Sequence, residues 1–361
     1  MKKYKICVYA ICKNESQFVD KWMDSVSEAD LVVVLDTGST DDTVEKLRNR
    51  GAIVYEETIK PWRFDVARNK SLSLVPKDVD ICACIDLDEI YDKGWREHLE
   101  NKWKKTSTRA RYDYTWSFNE DGTPGVTFHL DKIHSREDYI WKNPVHEVLK
   151  YDGNNREEYI NCLELKCKHY PDNSKPRSQY LPLLEQSVKE DPTDDRNMHY
   201  LGREYMFYGM WDKCIDTLKR HLSLPASSWC DERCASMRFI ARAYRAKNEI
   251  YEAKRWLYRA IGEAPYLREP YIELAFLEYE MKNWESVYHM VKEALKIENR
   301  PVSYINEGFA WDASIYDLGS IACYFLGLYN EGLNYAETAT QMNPNDDRMA
   351  NNYKLLKDKV V

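Results

Sequence analysis

The residues best placed to do chemistry lie in Asp86-Leu-Asp88-Glu89, at the end of the apolar run Ile81-Cys-Ala-Cys-Ile85. A short unbroken apolar run reads as a strand buried on both faces. Acidic residues at its carboxyl end stand where open α/β sheets bind ligands. Asp86 and Asp88, two positions apart, can turn both carboxylates toward one hard divalent cation, which prefers oxygen ligands and accepts waters and phosphate oxygens as the rest. A second stretch of this kind follows Leu31-Val-Val-Val-Leu35. There Asp36-Thr-Gly-Ser-Thr-Asp-Asp42 supplies small residues, hydroxyls and a helix cap, so a ligand can approach the backbone and an anion can meet a helix N terminus. Asp36, at the strand tip, is expected to be an exposed acceptor for a base or ribose. The loop lacks the lysine of a P-loop and the three-glycine spacing of a dinucleotide fingerprint.

Positioning these loops requires an alternation of strands and helices. Residues 4–11 read as a strand, and residues 15–26 carry Phe18, Val19, Trp22, Met23 and Val26 at helical spacing. A strand at 31–35, a helix at 43–50, a strand at 52–56 and a helix opening at Trp62-Arg-Phe-Asp-Val-Ala-Arg-Asn69 lead to the acidic strand. This βαβαβ order predicts a parallel sheet covered by helices. A helix is expected over 92–103. Beyond it, Tyr112, Tyr114, Trp116 and Phe118 alternate along one strand face, more in the manner of a core than of a sugar platform. Asp121-Gly-Thr-Pro-Gly125 signals a hairpin turn, residues 126–133 return as a strand, and residues 162–170 close the first half.

Composition bounds the rest. The chain has 361 residues, a formal charge of −8 and no basic excess, so nucleic acid is not expected as a partner. No apolar run approaches the ~18 residues of a membrane span. Met1-Lys-Lys3 followed by an apolar stretch imitates a signal peptide, but it runs into Lys13-Asn-Glu15 without a cleavage site, so a first strand is expected. The 10 cysteines follow no dense framework, which suits reduced core thiols in a cytoplasmic protein.

Cys12-Lys-Asn-Glu15, Asp36-Thr-Gly-Ser-Thr-Asp-Asp-Thr43, Phe64-Asp-Val-Ala-Arg-Asn69 and Asp86-Leu-Asp88 occur in this order, and together they resemble the nucleotide-sugar-binding half of family 2 glycosyltransferases. The resemblance implies a GT-A fold, a Rossmann-like mixed α/β sheet, over residues 1–172. It implies that Glu15, Asp36, Arg68 and Asp86 bind the nucleotide sugar, with a UDP-sugar as the leading donor. It also implies that Asp86 and Asp88 hold Mn²⁺ or Mg²⁺ against the diphosphate, which is the cation a carboxylate–phosphate site would need. Lys132-Ile-His134, Tyr139-Ile-Trp141 and Asn143-Pro-Val-His-Glu147 resemble the acceptor-side segment of a subgroup of this family. Trp141 and His146 are thereby placed on the acceptor side. An inverting transfer needs one base for the acceptor proton; Glu147 is the first choice, with Asp138 of the Glu137-Asp138 pair and Asp131 as alternatives. His169, in Lys168-His-Tyr-Pro171, falls where many GT-A enzymes complete the metal site. His146 competes for that role.

After Pro171 strand signals vanish. Gly209-Met-Trp-Asp-Lys-Cys214, Asn248-Glu-Ile-Tyr-Glu-Ala253, Lys282-Asn-Trp-Glu-Ser-Val287 and Gly327-Leu-Tyr-Asn-Glu-Gly332 are mutually similar. Each is followed by an amphipathic helix with Leu218, Ala260, Leu295 or Ala339 in matching places. Pro192, Pro225, Pro265 and Pro344 punctuate the series. Spacings near the tetratricopeptide period predict an all-α repeat domain over 173–361. Leu201-Gly-Arg-Glu-Tyr205 resembles the first repeat helix of bacterial transferases with this two-part layout. The expected activity is transfer of a hexosyl group from a nucleoside-diphosphate donor to a hydroxyl or thiol of a glycan, peptide or protein acceptor. A homodimer through the repeats is among the expected partners. The competing readings are a repeat scaffold with an inactive transferase domain, which intact Asp86 and Asp88 disfavour, and a nucleotidyltransferase, which would want a glycine-rich basic loop after the first strand.

Overall fold

In the computed structural model, residues 3–119, 121–172 and 177–360 are described. The chain divides into two compact units, Met1–Ser187 and Val188–Val361. The division falls later than the expected break after residue 172, inside a helix, α5, whose range is given below.

The N-terminal unit begins with the expected alternation: β1 (Ile6–Cys12), α1 (Val19–Ser25), β2 (Leu31–Asp36), α2 (Thr43–Asn49), β3 (Ile53–Glu56), α3 (Phe64–Leu74) and β4 (Ile81–Cys84). Then come β5 (Glu89–Tyr91), α4 (Trp95–Lys102), β6 (Arg109–Thr115), β7 (Thr127–Ser135), β8 (Tyr139–Lys142), β9 (Val148–Tyr151) and β10 (Tyr159–His169). The eight-stranded sheet has the order β3-β2-β1-β4-β7-β6-β10-β5, and β8 and β9 form a separate hairpin. β1 pairs parallel with β2 and β4, and β2 parallel with β3. β7 is antiparallel to both β4 and β6, so the sheet is mixed.

Strand alternation distributes the core to two faces. Ile6, Val8, Ala10 and Cys12 pack with Trp22, Leu47, Trp95 and Leu99 on one face. Cys7, Tyr9, Cys82 and Cys84 pack with Leu72, Val75, Trp141 and Leu149 on the other. β4 is buried at every position, as its uninterrupted apolar run requires. Because β2, β1 and β4 are neighbours and parallel, the loops that follow them emerge along one edge of the sheet. This is the edge where an open α/β sheet holds its ligand.

After α5 (Tyr180–Glu190) the second unit is helical: α6 (Asp195–Phe207), α7 (Trp211–Ser223), α8 (Cys230–Ala246), α9 (Ile250–Glu263), α10 (Glu269–Glu280), α11 (Trp284–Leu295), α12 (Ser314–Leu326), α13 (Tyr329–Met342) and α14 (Asp347–Val360). From α6 onward each helix packs on the next, and α6, α8, α10, α12 and α14 also meet one another in sequence. That is the layering of a helical-repeat solenoid. The four similar stretches begin at Gly209, Asn248, Lys282 and Gly327, and all four residues have positive φ, from 57° to 73°. Each stands just after the first helix of its repeat and reverses the chain in the left-handed conformation. Of the expected buried markers, Leu218, Ala260 and Ala339 are buried, but the place of Leu295 is taken by its neighbour Ala294.

Candidate active site

The run Ile81–Ile85 ends at the sheet edge because Asp86 brings the first carboxylate, and that carboxylate is fully engaged. Arg68 on α3 donates from Nη1 and Nη2 to its two oxygens at 2.8 and 3.0 Å, and Lys132 on β7 donates to Oδ2 at 3.3 Å. Burial would raise the Asp86 carboxyl, but Arg68 and Lys132 outweigh it and hold it well below the usual carboxylate range. Lys132 also reaches Glu89 at 3.2 Å, and the Tyr114 hydroxyl donates to Glu89 at 2.8 Å. The two oxygens of Asp86, expected on a metal, face a guanidinium and an ammonium.

Arg68, expected to contact the nucleotide, is a buried group. It is 4% exposed. Besides Asp86 it donates from Nε to Glu147 and from Nη1 to the Cys84 sulfur. Its Cζ lies 5.2 Å from the centroid of the Trp141 ring. Its donors reach two carboxylates, Asp86 and Glu147. The segment after β8 reaches it because Phe64 N donates to Pro144 O at 2.9 Å, docking that loop on the first turn of α3. Asn69, one residue after Arg68, clasps the backbone N–H and C=O of Trp141, each at 2.8 Å. The Ala-Arg-Asn segment thus tethers the β8 hairpin to α3.

Asp88 differs. Its Oδ2 lies 3.5 Å from His169 Nε2, and the other ring nitrogen of His169 is 3.2 Å from the Trp116 carbonyl. His169 arrives from the far end of the unit because β10 pairs antiparallel with β5, with His169 opposite Glu89. Burial would lower the His169 imidazole; Asp88 beside it prevails and raises it. The Trp116 ring stacks on His169 at 4.4 Å while remaining 49% exposed.

On the donor side, Asp36 is 2% exposed. Its carboxylate accepts from Gly38 N and Ser39 N, each at 2.9 Å, and from the Ser39 hydroxyl. The expectation of an exposed acceptor is overturned: Asp36 shapes its own loop. Asn14 joins that loop to the one after β1, donating from its backbone to Ser39 Oγ at 2.8 Å and accepting from Thr40 N at 2.7 Å. Glu15 is buried behind them, its N–H on Thr43 Oγ1 at 2.8 Å.

The remaining candidates separate. Trp141 is 2% exposed and donates to the Tyr9 hydroxyl at 2.9 Å, so it is core and not an acceptor surface. His146, half-buried at φ 49°, lies beside Tyr180 at 5.9 Å. Asp138 is exposed, in the turn after β7; Ser135 pairs with Ile81, so this turn lies at the opposite end of β4 from Asp86. Asp131 is ion-paired with Arg109 at 3.2 Å. Neither reaches the acidic strand end, which leaves Glu147 as the base candidate brought beside it. Glu89 and Lys132 stand within the motifs quoted from the sequence, which give neither a role of its own; a lysine within a strand that pairs next to an acidic strand tip was the available signal.

For a divalent ion, Asp88 and His169 fit. One carboxylate oxygen and one imidazole nitrogen converge, with the second ring nitrogen held by a carbonyl, the usual way a ligating histidine is oriented. Asp86, beside them, accepts from Arg68 and Lys132.

The profile of Glycosyl transferase family 2 matches residues 7–148, which contain both donor-side loops, Arg68, the acidic strand end and Glu147. The SPbeta prophage-derived glycosyltransferase SunS of Bacillus subtilis is 26% identical over 313 residues, covering 80% of this chain and 70% of that protein. The lipopolysaccharide core biosynthesis glycosyltransferase LpsC of Rhizobium meliloti is 33% identical over 103 residues, 27% of this chain and 36% of its own. Among solved structures, MamA aligns with a TM-score of 0.38 at 19% identity, over 48% of this chain and 96% of that one. The N-terminal unit contains a family 2 glycosyl transferase domain, and the protein is a glycosyltransferase.

Proposed function

We propose that the protein moves a sugar from a nucleoside-diphosphate donor, a UDP-sugar in the first instance, to a hydroxyl or thiol of a glycan, peptide or protein, with a divalent ion held by Asp88 and His169. The observation that carries this reading is the 3.5 Å approach of Asp88 to His169 at the carboxyl end of β4. A diphosphate and a carboxylate repel, so a cation between them is required, and a mixed oxygen–imidazole donor pair suits Mn²⁺ better than Mg²⁺. When bound, the ion supplies charge stabilisation for the departing nucleotide. The chain's own residues do the rest. The Asp36 loop offers backbone and hydroxyl groups to the nucleotide. Arg68 and Lys132 hold Asp86 and Glu147 in place, and Glu147 receives the acceptor proton.

The test is calorimetry of UDP with and without Mn²⁺, together with hydrolysis of UDP-sugars. Asp88→Asn keeps the shape and removes the charge. It should abolish the Mn²⁺-dependent part of UDP binding and lower turnover by roughly 10²-fold or more, with circular dichroism unchanged. Undiminished activity of this variant in chelator would end the metal-dependent reading.

A further inference from the structure

The helical unit contains a second cluster of ligating groups, remote in sequence from the acidic strand end and unused by the transfer chemistry. His199 on α6, His221 on α7 and Glu232 on α8 each present a ligand atom within 4.8 Å of the others. They are 1%, 0% and 5% exposed. We propose that His199, His221 and Glu232 form a buried zinc site that ties the first three helices of the repeat unit together.

Three features support it. First, the donor set is right for the metal: two imidazoles and a carboxylate are borderline and hard ligands of the kind Zn²⁺ takes in tetrahedral sites. His221 Nε2 lies 3.4 Å from Glu232 Oε1. Two ligands at about 2.0–2.1 Å from a tetrahedral ion stand about that far apart.

Second, the surroundings orient the rings. The Ser236 hydroxyl lies 2.7 Å from His199 Nδ1 and 3.0 Å from His221 Nδ1. A hydroxyl oxygen can accept from both Nδ1–H groups, which leaves Nε2 of each ring as the lone-pair nitrogen a metal needs. The Ser227 hydroxyl, 3.0 Å from His221 Nε2, would turn away on metal binding.

Third, the cluster buries a carboxylate beside two imidazoles. The Tyr304 hydroxyl donates to the buried Glu232 carboxylate. Among the described residues the ion-pair partner of Glu232 is His221 itself. A buried carboxylate beside two imidazoles is relieved by a dication more fully than by a shared proton.

The experiment uses the full chain and needs no knowledge of donor or acceptor. Protein prepared with zinc and dialysed should carry about one tightly held zinc per chain by elemental analysis. Stripping with a strong chelator should lower the thermal midpoint by several degrees, and zinc, but not magnesium, should restore it. Asp88→Asn should keep this zinc and Glu232→Gln should lose it, which separates the cluster from the transferase site. Should Glu232→Gln fail to fold, cobalt substitution of the wild type decides: intense visible bands of a tetrahedral site, unchanged in Asp88→Asn, would support the assignment. A chelator-treated protein that neither takes up zinc nor gains stability from it, or zinc lost in Asp88→Asn, would overturn it and leave only a hydrogen-bonded network.

Discussion

Arg68 commits its guanidinium to Asp86, Glu147 and Cys84, and that commitment changes what its neighbours can be asked to do. Glu147 is held by the same group, so its removal tests catalysis and positioning separately. Glu147→Gln should lower kcat by about 10²–10⁴-fold while UDP affinity, measured by calorimetry, stays within a few-fold; equal losses in both would make it a positioning residue only. Asp36 makes the opposite case. Two backbone N–H groups and a hydroxyl depend on its carboxylate. Asp36→Ala should therefore cost about 1–3 kcal/mol of stability through unpaired buried donors, read as a lower urea midpoint, with weaker UDP binding as a consequence of the distorted loop. An unchanged midpoint would restore Asp36 to the role of an outward-facing ligand group.

At the scale of elements, what was legible in the sequence was what local pattern dictates. The β-branched and apolar runs gave β2 and β4, and the turn residues at Gly209, Asn248, Lys282 and Gly327 marked every repeat, while of the alternating aromatics Tyr112 and Tyr114 lie in β6 and Trp116 and Phe118 lie beyond its end. Which carboxylates carry a charge partner was not legible, because Lys132 and Arg68 reach Asp86 only through the pairing of β7 with β4 and the packing of α3. The same limit hid Trp141, whose aromatic character is equally compatible with a platform and a core; burial, not sequence, decides between them. Helix packing offers a test of its own. A Cβ added at Gly202 on α6 would stand 2.3 Å from Leu218 Cδ2 on α7, and Leu218 is fully buried. Gly202→Ala should therefore destabilise the repeat unit by about 1–3 kcal/mol through overpacking, visible as a lower midpoint of helix loss. Gly262→Ala, where nothing lies within 4 Å, should be neutral or stabilising and serves as the control.

For the molecule as a whole, no helix among the described residues is long and apolar enough to cross a membrane, and both units share one response to acid. In the N-terminal unit Trp141 donates to the Tyr9 hydroxyl, which lies 2.8 Å from His134 Nε2, and His134 Nδ1 donates to Ser135 O at 2.7 Å. This chain of donors fits a neutral imidazole, and burial pushes His134 down to about 3. His199 in the helical unit is likewise pushed to about 3. In the unfolded chain each would take up a proton as the pH falls through about 6.5. The folded protein does so only near 3, so between these values the unfolded state binds more protons and stability rises with pH. The full stability is present above about 6.5 and drains away toward 3. Below about 4.5 Glu232, ionised in the folded state down to about 2, adds to the same loss. In chelator, which removes any metal contribution, the urea midpoint should fall steadily from pH 7.5 to 4.5. His134→Gln should flatten that slope by about one proton, while leaving the midpoint at pH 7.5 changed far less than at pH 5. A profile with no slope between 7.5 and 4.5 would mean that these imidazoles are not buried neutral, and the donor chain through Tyr9 would have to run the other way.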